Sequence, residues 1–135
     1  PMLAAPLPRF DGLDVLVVDD DPQARRFIAA ALERAGAFVR DAAGVDEAIV
    51  AIRAQVPAVL VSDIAMPDRD GFELLEDVRN ILHIDEQRLP AIAITAFGGT
   101  QDRVRILAAG FQRYILKPVD PLELTRVIGD VLPTV

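Results

Sequence analysis

The amino-acid sequence predicts an α/β fold, a doubly wound parallel sheet of five strands with helices on both faces. Three observations lead there. Short runs of aliphatic and β-branched residues alternate with segments whose apolar residues recur at helical spacing. The short runs are apolar throughout rather than at every second position, as strands buried on both faces must be. Turn formers separate each run from the helical segment after it, which is the punctuation of right-handed strand–helix–strand crossovers.

Length and composition bound the reading. With 135 residues, 52% of them hydrophobic, the chain can bury one core of ordinary size. It has no cysteine, so disulfide staples, thiolate metal sites and cysteine nucleophiles are excluded. The formal charge is 14 − 21 = −7, which repels phosphodiester backbones and favours cationic partners, so no nucleic-acid contact is expected. Apolar stretches are short and interrupted, and no basic region plus long apolar run opens the chain, so a cytoplasmic protein without direct membrane contact is expected.

Residues 1–10 carry three prolines among small apolar residues and read as an N-terminal tether, with the folded domain over residues 11–135. Beginning at Pro1 suggests an excised piece of a longer protein. Val15 to Val18 forms the first strand, stopped by Asp19-Asp20-Asp21-Pro22. A helix follows, with Asp21 as cap, Pro22 in the first turn and Gly36 at the stop; its buried face is expected to hold Ala24, Phe27, Ile28, Ala31, Leu32 and Ala35. Gln23, Arg26, Ala30 and Arg34 then face outward. Phe38 to Arg40 is a short strand, and Val45 to Gln55 a helix with Ala48, Ile49 and Ile52 on one face.

Ala58 to Ser62 is the third strand. Asp63 to Gly71 is too rich in turn formers to be regular, and a helix runs from Phe72 to Leu82. Ala91 to Thr95 is the fourth strand, Gln101 to Ala109 a helix, Arg113 to Leu116 the fifth strand, and Pro121 to Leu132 the closing helix. His83 falls at the polar end of a helix, away from every strand end, and reads as a surface residue.

In open α/β sheets the ligand site lies beyond the carboxyl ends of the strands. Those ends hold Asp19, Asp20 and Asp21, then Asp63, then Thr95, then Lys117-Pro118. Each is ordinary alone: a cap, a turn, a structural threonine, an exposed lysine. Their convergence on one crevice is not ordinary. Carboxylates gathered there repel, each pair at ~4 Å by about 4 kcal/mol at an intermediate dielectric, so a cation must join them. An oxygen-only donor set without His or Cys suits a hard divalent ion, and Mg²⁺ fits best, since no loop shows the alternating ligands of an EF-hand. Lys117 and Thr95 supply a fixed cation and a hydroxyl donor for phosphoryl transfer, with Asp63 as nucleophile.

The segments VLVVDDDPQARR, LVSDIAMPDRDG, AIAITA and YILKPVDP resemble the four signature blocks of the response-regulator receiver domain, in order and over most of the chain from Leu13 to Leu132. The resemblance implies a flavodoxin-like sheet of strand order 2-1-3-4-5. By position, Asp63 resembles the phospho-accepting aspartate, and Asp20 and Asp63 the side-chain Mg²⁺ ligands. Asp19 resembles the acid that acts through water, and Ala65 the residue offering its main-chain carbonyl. Thr95 resembles the switch hydroxyl, Tyr114 the aromatic switch and Lys117 the phosphate-binding lysine, with a cis bond to Pro118. Phe97, bulky and apolar, and Gly98-Gly99 are less typical of the family.

The implied activity is regulatory rather than enzymatic, namely acceptance of a phosphoryl group from a histidine kinase or histidine phosphotransfer domain by a monomer or weak dimer. The blocks around Ala91 to Phe111 and Tyr114 to Leu124 resemble receivers at the carboxyl end of hybrid histidine kinases, which would tether the domain to a membrane-bound kinase. A stand-alone single-domain regulator is the alternative. A haloacid-dehalogenase-type phosphatase, with Asp19-Asp20-Asp21 as its acidic motif, is a further one. Against it, Gln23 stands where that family has Thr or Val, and no acidic pair follows Lys117. An interaction module independent of phosphorylation would need a broken acid pocket, and this one is complete.

Overall fold

A computed structural model describes residues 8–133. Its elements are β1 (Asp14–Val18), α1 (Pro22–Arg34), β2 (Phe38–Ala42), α2 (Val45–Ala54), β3 (Val59–Asp63), α3 (Gly71–Asn80), β4 (Ala91–Thr95), α4 (Thr100–Ala109), β5 (Arg113–Leu116) and α5 (Pro121–Val131). The five strands form one sheet in the order β2-β1-β3-β4-β5, all pairings parallel. The expected class and strand order are therefore those observed, with boundaries shifted by a residue or two. The largest shifts are at β2, which extends to Ala42, and at α3, which stops at Asn80.

Alternation along each strand divides the core in two. Val15 and Val17 of β1 pack with Val59, Val61, Ile92 and Ile94 under Ile28 and Leu32 of α1 and Leu124 and Ile128 of α5. Leu16 and Val18 face the other way, with Leu60 and Ala93, under Ile52 of α2, Leu74, Leu75 and Val78 of α3 and Ile106 of α4. Every strand residue from Val59 to Asp63 and from Ala91 to Thr95 is buried, which is why these strands read as unbroken apolar runs.

The start of α1 is as expected. The Asp21 carboxylate accepts from the Gln23 N–H at 3.0 Å, Pro22 occupies the first turn, and Gly36 beyond the end has φ +97°, where a Cβ would be strained. Its buried face needs one correction. Ile28, Ala31 and Leu32 are buried and Ala24 and Ala35 half-buried, but the Phe27 side chain is 51% exposed. At 100° per residue Phe27 lies roughly 80° from the middle of that stripe, so it emerges at its margin instead of beneath it. Ala30, expected outward, is half-buried, while Gln23, Arg26 and Arg34 are exposed.

Within the stretch read as a tether, one residue joins the core. Phe10 is buried, donates its N–H to the Ala35 carbonyl at 2.8 Å and joins the core cluster that holds Val15, Ile28 and Leu32. Residues 1–7 of that tether lie outside the described residues. Among the described residues no helix is long and apolar enough to cross a membrane.

Candidate functional site

The site is assembled at the carboxyl edge of β1, β3, β4 and β5. At the end of β1 the three consecutive aspartates have three different fates. Asp21 caps α1. Asp19 is only 1% exposed, its Oδ1 accepting from the Asp21 N–H at 2.9 Å and its main-chain carbonyl from Arg25 Nη1 at 2.7 Å. Arg25 also pairs with Asp41 on β2, which holds the β1–α1 turn against the sheet. Asp20 is exposed.

Asp63 ends β3, between the β1 and β4 edges, and its side chain is 4% exposed. Its Oδ2 accepts from Lys117 Nζ at 3.1 Å. Carboxylate oxygens of Asp19, Asp20 and Asp63 all lie within 4.8 Å of one another. Lys117 follows β5, donates its N–H to the Thr95 carbonyl at 2.8 Å, and precedes Pro118 through the expected cis bond. Thr95, ending β4, is buried, with its hydroxyl accepting from the Phe97 N–H at 3.0 Å.

Asp63, Ala65, Thr95 and Lys117 share one cleft of about 230 Å³, whose lining also includes Asp70, Phe72, Phe97, Asp102 and Arg105. The structure thus brings together Asp19, Asp20, Asp63, Ala65, Thr95 and Lys117. Tyr114 does not line the cleft; it is half-buried on β5, packed against the α2–α4 side of the core with Arg103 5.9 Å from its ring centre.

Burial holds both inner acids above the usual carboxylate range. For Asp63 desolvation is the main cause, opposed by the hydrogen bond and charge of Lys117 and reinforced by Asp20. For Asp19 desolvation again leads, opposed by the Asp21 N–H and reinforced by Asp63. One buried oxygen, Asp19 Oδ2, has no hydrogen-bond partner. Buried polar atoms are rarely left so. An unpaired carboxylate oxygen, in an all-oxygen donor set that carries excess negative charge, fits a hard divalent cation.

Two supports of this geometry were not singled out from the sequence. A Cβ on Gly71 would stand 2.5 Å from the Asp63 carbonyl oxygen and 3.0 Å from Ile64 Cα, so only glycine lets α3 start so close beneath the acceptor residue. Arg69 reaches Asp46, Glu73 and Asp77, pinning the β3–α3 loop to α2 and α3. The capping box at the start of α3, Asp70 with Glu73, was legible as an acid three residues before a glutamate, whereas the close approach of Gly71 has no sequence signal beyond a glycine among turn formers.

The sheet order, the acid trio and the strand-end lysine define the class of protein to which the signature blocks pointed. The family model described as response regulator receiver domain matches residues 15–129, and the chain belongs to that family, a regulatory domain of two-component signalling. An uncharacterized 14.6 kDa protein of Leptolyngbya boryana, in the sodA1 3' region, is 47% identical over 116 residues, spanning 86% of this chain and 87% of that protein. Response regulator Rre1 of Synechocystis is 36% identical over 89% of this chain, but the chain spans only 52% of its length. Among solved structures, chemotaxis protein CheY4 of Vibrio cholerae superposes with a TM-score of 0.82 at 28% identity, covering 90% of this chain and 99% of that one.

Proposed function

We propose that Asp63 accepts a phosphoryl group in a Mg²⁺-dependent reaction, from a phosphohistidine on a histidine kinase or phosphotransfer domain or from a small phosphodonor. The observation that carries this reading is the buried Asp63 carboxylate, 3.1 Å from Lys117 Nζ and within 4.8 Å of two further acids. Asp20, Asp63 and the Ala65 carbonyl would hold the ion, with Asp19 acting through water. Bound there, it neutralises charge accumulating on the phosphoryl oxygens.

The chain's own residues do the rest. An Asp63 carboxylate oxygen attacks phosphorus in line; the bond from phosphorus to the imidazole nitrogen breaks, and that nitrogen keeps the electron pair. Lys117 exchanges its bond to Asp63 for one to a phosphoryl oxygen. Thr95, whose hydroxyl now accepts from the Phe97 N–H, turns to donate to the phosphoryl group, which frees the loop of Phe97, Gly98 and Gly99 and lets Tyr114 respond. Because Phe97 is 63% exposed, that loop can move without opening the core.

The test is intact mass spectrometry after acetyl phosphate treatment. One phosphoryl adduct is expected with Mg²⁺, none with EDTA, and none in Asp63→Ala. An adduct that survives Asp63→Ala and disappears in Asp19→Ala would overturn the reading in favour of a phosphatase-type aspartate nucleophile.

This reading sets the activity within two-component signalling, the setting of the family, with the domain either part of a hybrid histidine kinase or a stand-alone regulator. Direct contact with nucleic acid is not part of the proposal, given the charge of −7. Relatives named probable transcriptional regulator ycf27, such as that of Porphyra purpurea, are spanned by this chain over 46% of their length. A cytoplasmic location and a monomer or weak dimer complete the reading.

A further inference from the structure

Beyond Lys117, the cleft over Asp63 has one other cation among its lining residues, Arg105 on α4. Its position is set by a chain of aromatic contacts. Phe111 is buried at 2% exposure, and Phe72 meets it edge to face, with ring centres 6.3 Å apart at 73°. The Arg105 guanidinium lies 4.1 Å from the centre of the Phe72 ring, within cation–π range. Among the described residues no carboxylate pairs with Arg105 and no hydrogen bond engages it, although Asp70 and Asp102 line the same cleft. The guanidinium is therefore positioned by a ring face, and all its donors remain available.

In-line attack by Asp63 fixes where the leaving group must be. It departs from the side of phosphorus opposite the attacking oxygen, and since Asp63 is buried that side faces solvent, where the exposed residues of the same cleft include Phe97, Asp102 and Arg105. Lys117 is bonded to Asp63 at the floor and serves the phosphoryl oxygens, not the departing atom. Charge developing on the leaving group therefore meets Arg105.

We propose that Arg105, held over Phe72, is a specificity-determining residue that favours phosphodonors with an anionic leaving group, the acyl phosphates, over donors whose leaving group departs neutral. This rests on Asp63 being the acceptor. With an acyl phosphate, the bond from phosphorus to the acyl oxygen breaks as the Asp63 oxygen bonds to phosphorus, and a carboxylate leaves with the electron pair. Arg105 donates to that carboxylate, and its planar fork suits the two oxygens. With phosphoramidate, already protonated on nitrogen, the phosphorus–nitrogen bond breaks and ammonia leaves. Arg105 gains nothing there, and its charge opposes the incoming ammonium.

The experiment compares rates of phosphoryl incorporation from acetyl phosphate and from phosphoramidate, at fixed Mg²⁺ and ionic strength, by intact mass. Arg105→Gln is expected to slow the acetyl phosphate reaction about tenfold, the worth of one charge-assisted contact in the transition state, and to leave the phosphoramidate rate within about twofold or faster. Arg105→Lys should recover part of the lost rate, since the charge remains without the fork. Phe72→Leu, which keeps the charge but removes the ring face, should show the same donor-selective loss to a smaller degree. Equal slowing with both donors, or an unchanged ratio of the two rates, would overturn the assignment while leaving Asp63 as acceptor. Failure of the parent protein to take up phosphate from either donor would instead refute the acceptor reading itself.

Discussion

Replacing Asp19 by Asn should make the metal-free protein more stable and its response to Mg²⁺ smaller. Asn is isosteric, and its Oδ1 can still accept from the Asp21 N–H, so the β1–α1 turn keeps its bond. What changes is charge. Asp19 oxygens lie within 4.8 Å of those of Asp20 and Asp63, and at that separation a pair of unit charges repels by about 3 kcal/mol at an effective dielectric of about 20. Lys117 offsets part of the Asp63 charge and solvent screens the exposed Asp20, so about 1–2 kcal/mol is the expected net gain. The amide group replacing the unpaired Oδ2 adds a donor facing acceptors. For a domain of this size the gain corresponds to a rise in Tm of about 3–8 °C in EDTA. In the parent, Mg²⁺ at about ten times its Kd should restore about 1.4 kcal/mol by mass action, and the variant should lose most of that increment. Thermal melts followed by circular dichroism, in EDTA and across a Mg²⁺ series, measure both numbers. A variant that melts at or below the parent in EDTA, or that shifts with Mg²⁺ by the same amount, would refute the account of the pocket as a strained acid cluster completed by a cation.

Four further outcomes follow from the same geometry. Because burial raises Asp19 and Asp63, their protonated forms favour the fold: the contribution is full below the ordinary value of 3.8 and is lost as pH rises through the raised values, so metal-free Tm should fall more steeply above pH about 4 in the parent than in Asp19→Asn. Lys117→Ala should leave Mg²⁺ affinity equal or about two- to fivefold tighter by calorimetric titration, since a cation is removed, while the Tm shift on phosphorylation is lost; a large loss of Mg²⁺ affinity would count against the lysine's assigned role. Gly71→Ala should cost about 1–3 kcal/mol in denaturant unfolding, because its Cβ has only 2.5 Å to the Asp63 carbonyl, whereas Gly44→Ala, with nothing within 4 Å, should stay within about 0.5 kcal/mol. Phe27→Ala should cost about 0.5 kcal/mol and Ile28→Ala about 2–4 kcal/mol by the same measurement; equal costs would contradict the exposure of Phe27.

Much of this protein is settled by local chemistry. Strands buried on both faces must be apolar throughout, so β1, β3 and β4 announce themselves, and Asp21-Pro22 and Gly36 mark the ends of α1 through backbone rules that need no tertiary information. The candidate site was legible for a related reason: in an open parallel sheet the polar residue that stops a strand lies on the carboxyl edge, so Asp19, Asp63, Thr95 and Lys117 could be placed together from their positions in the chain. The helical period alone could not place Phe27, which sits at the margin of the apolar stripe, where the curvature and extent of the neighbouring sheet decide burial. Phe10 likewise looked like tether because the core cluster it joins, which includes Ile28, Leu32 and Val59, is built from residues far along the chain. The different fates of three adjacent aspartates, the stacking of Arg105 on Phe72 and the gap that only Gly71 fits depend on contacts between separate elements. Periodicity records which face of an element is apolar; it carries no record of the distance between two such faces once they pack, and that distance decides which carboxylate is buried, which arginine is free and which glycine cannot be replaced.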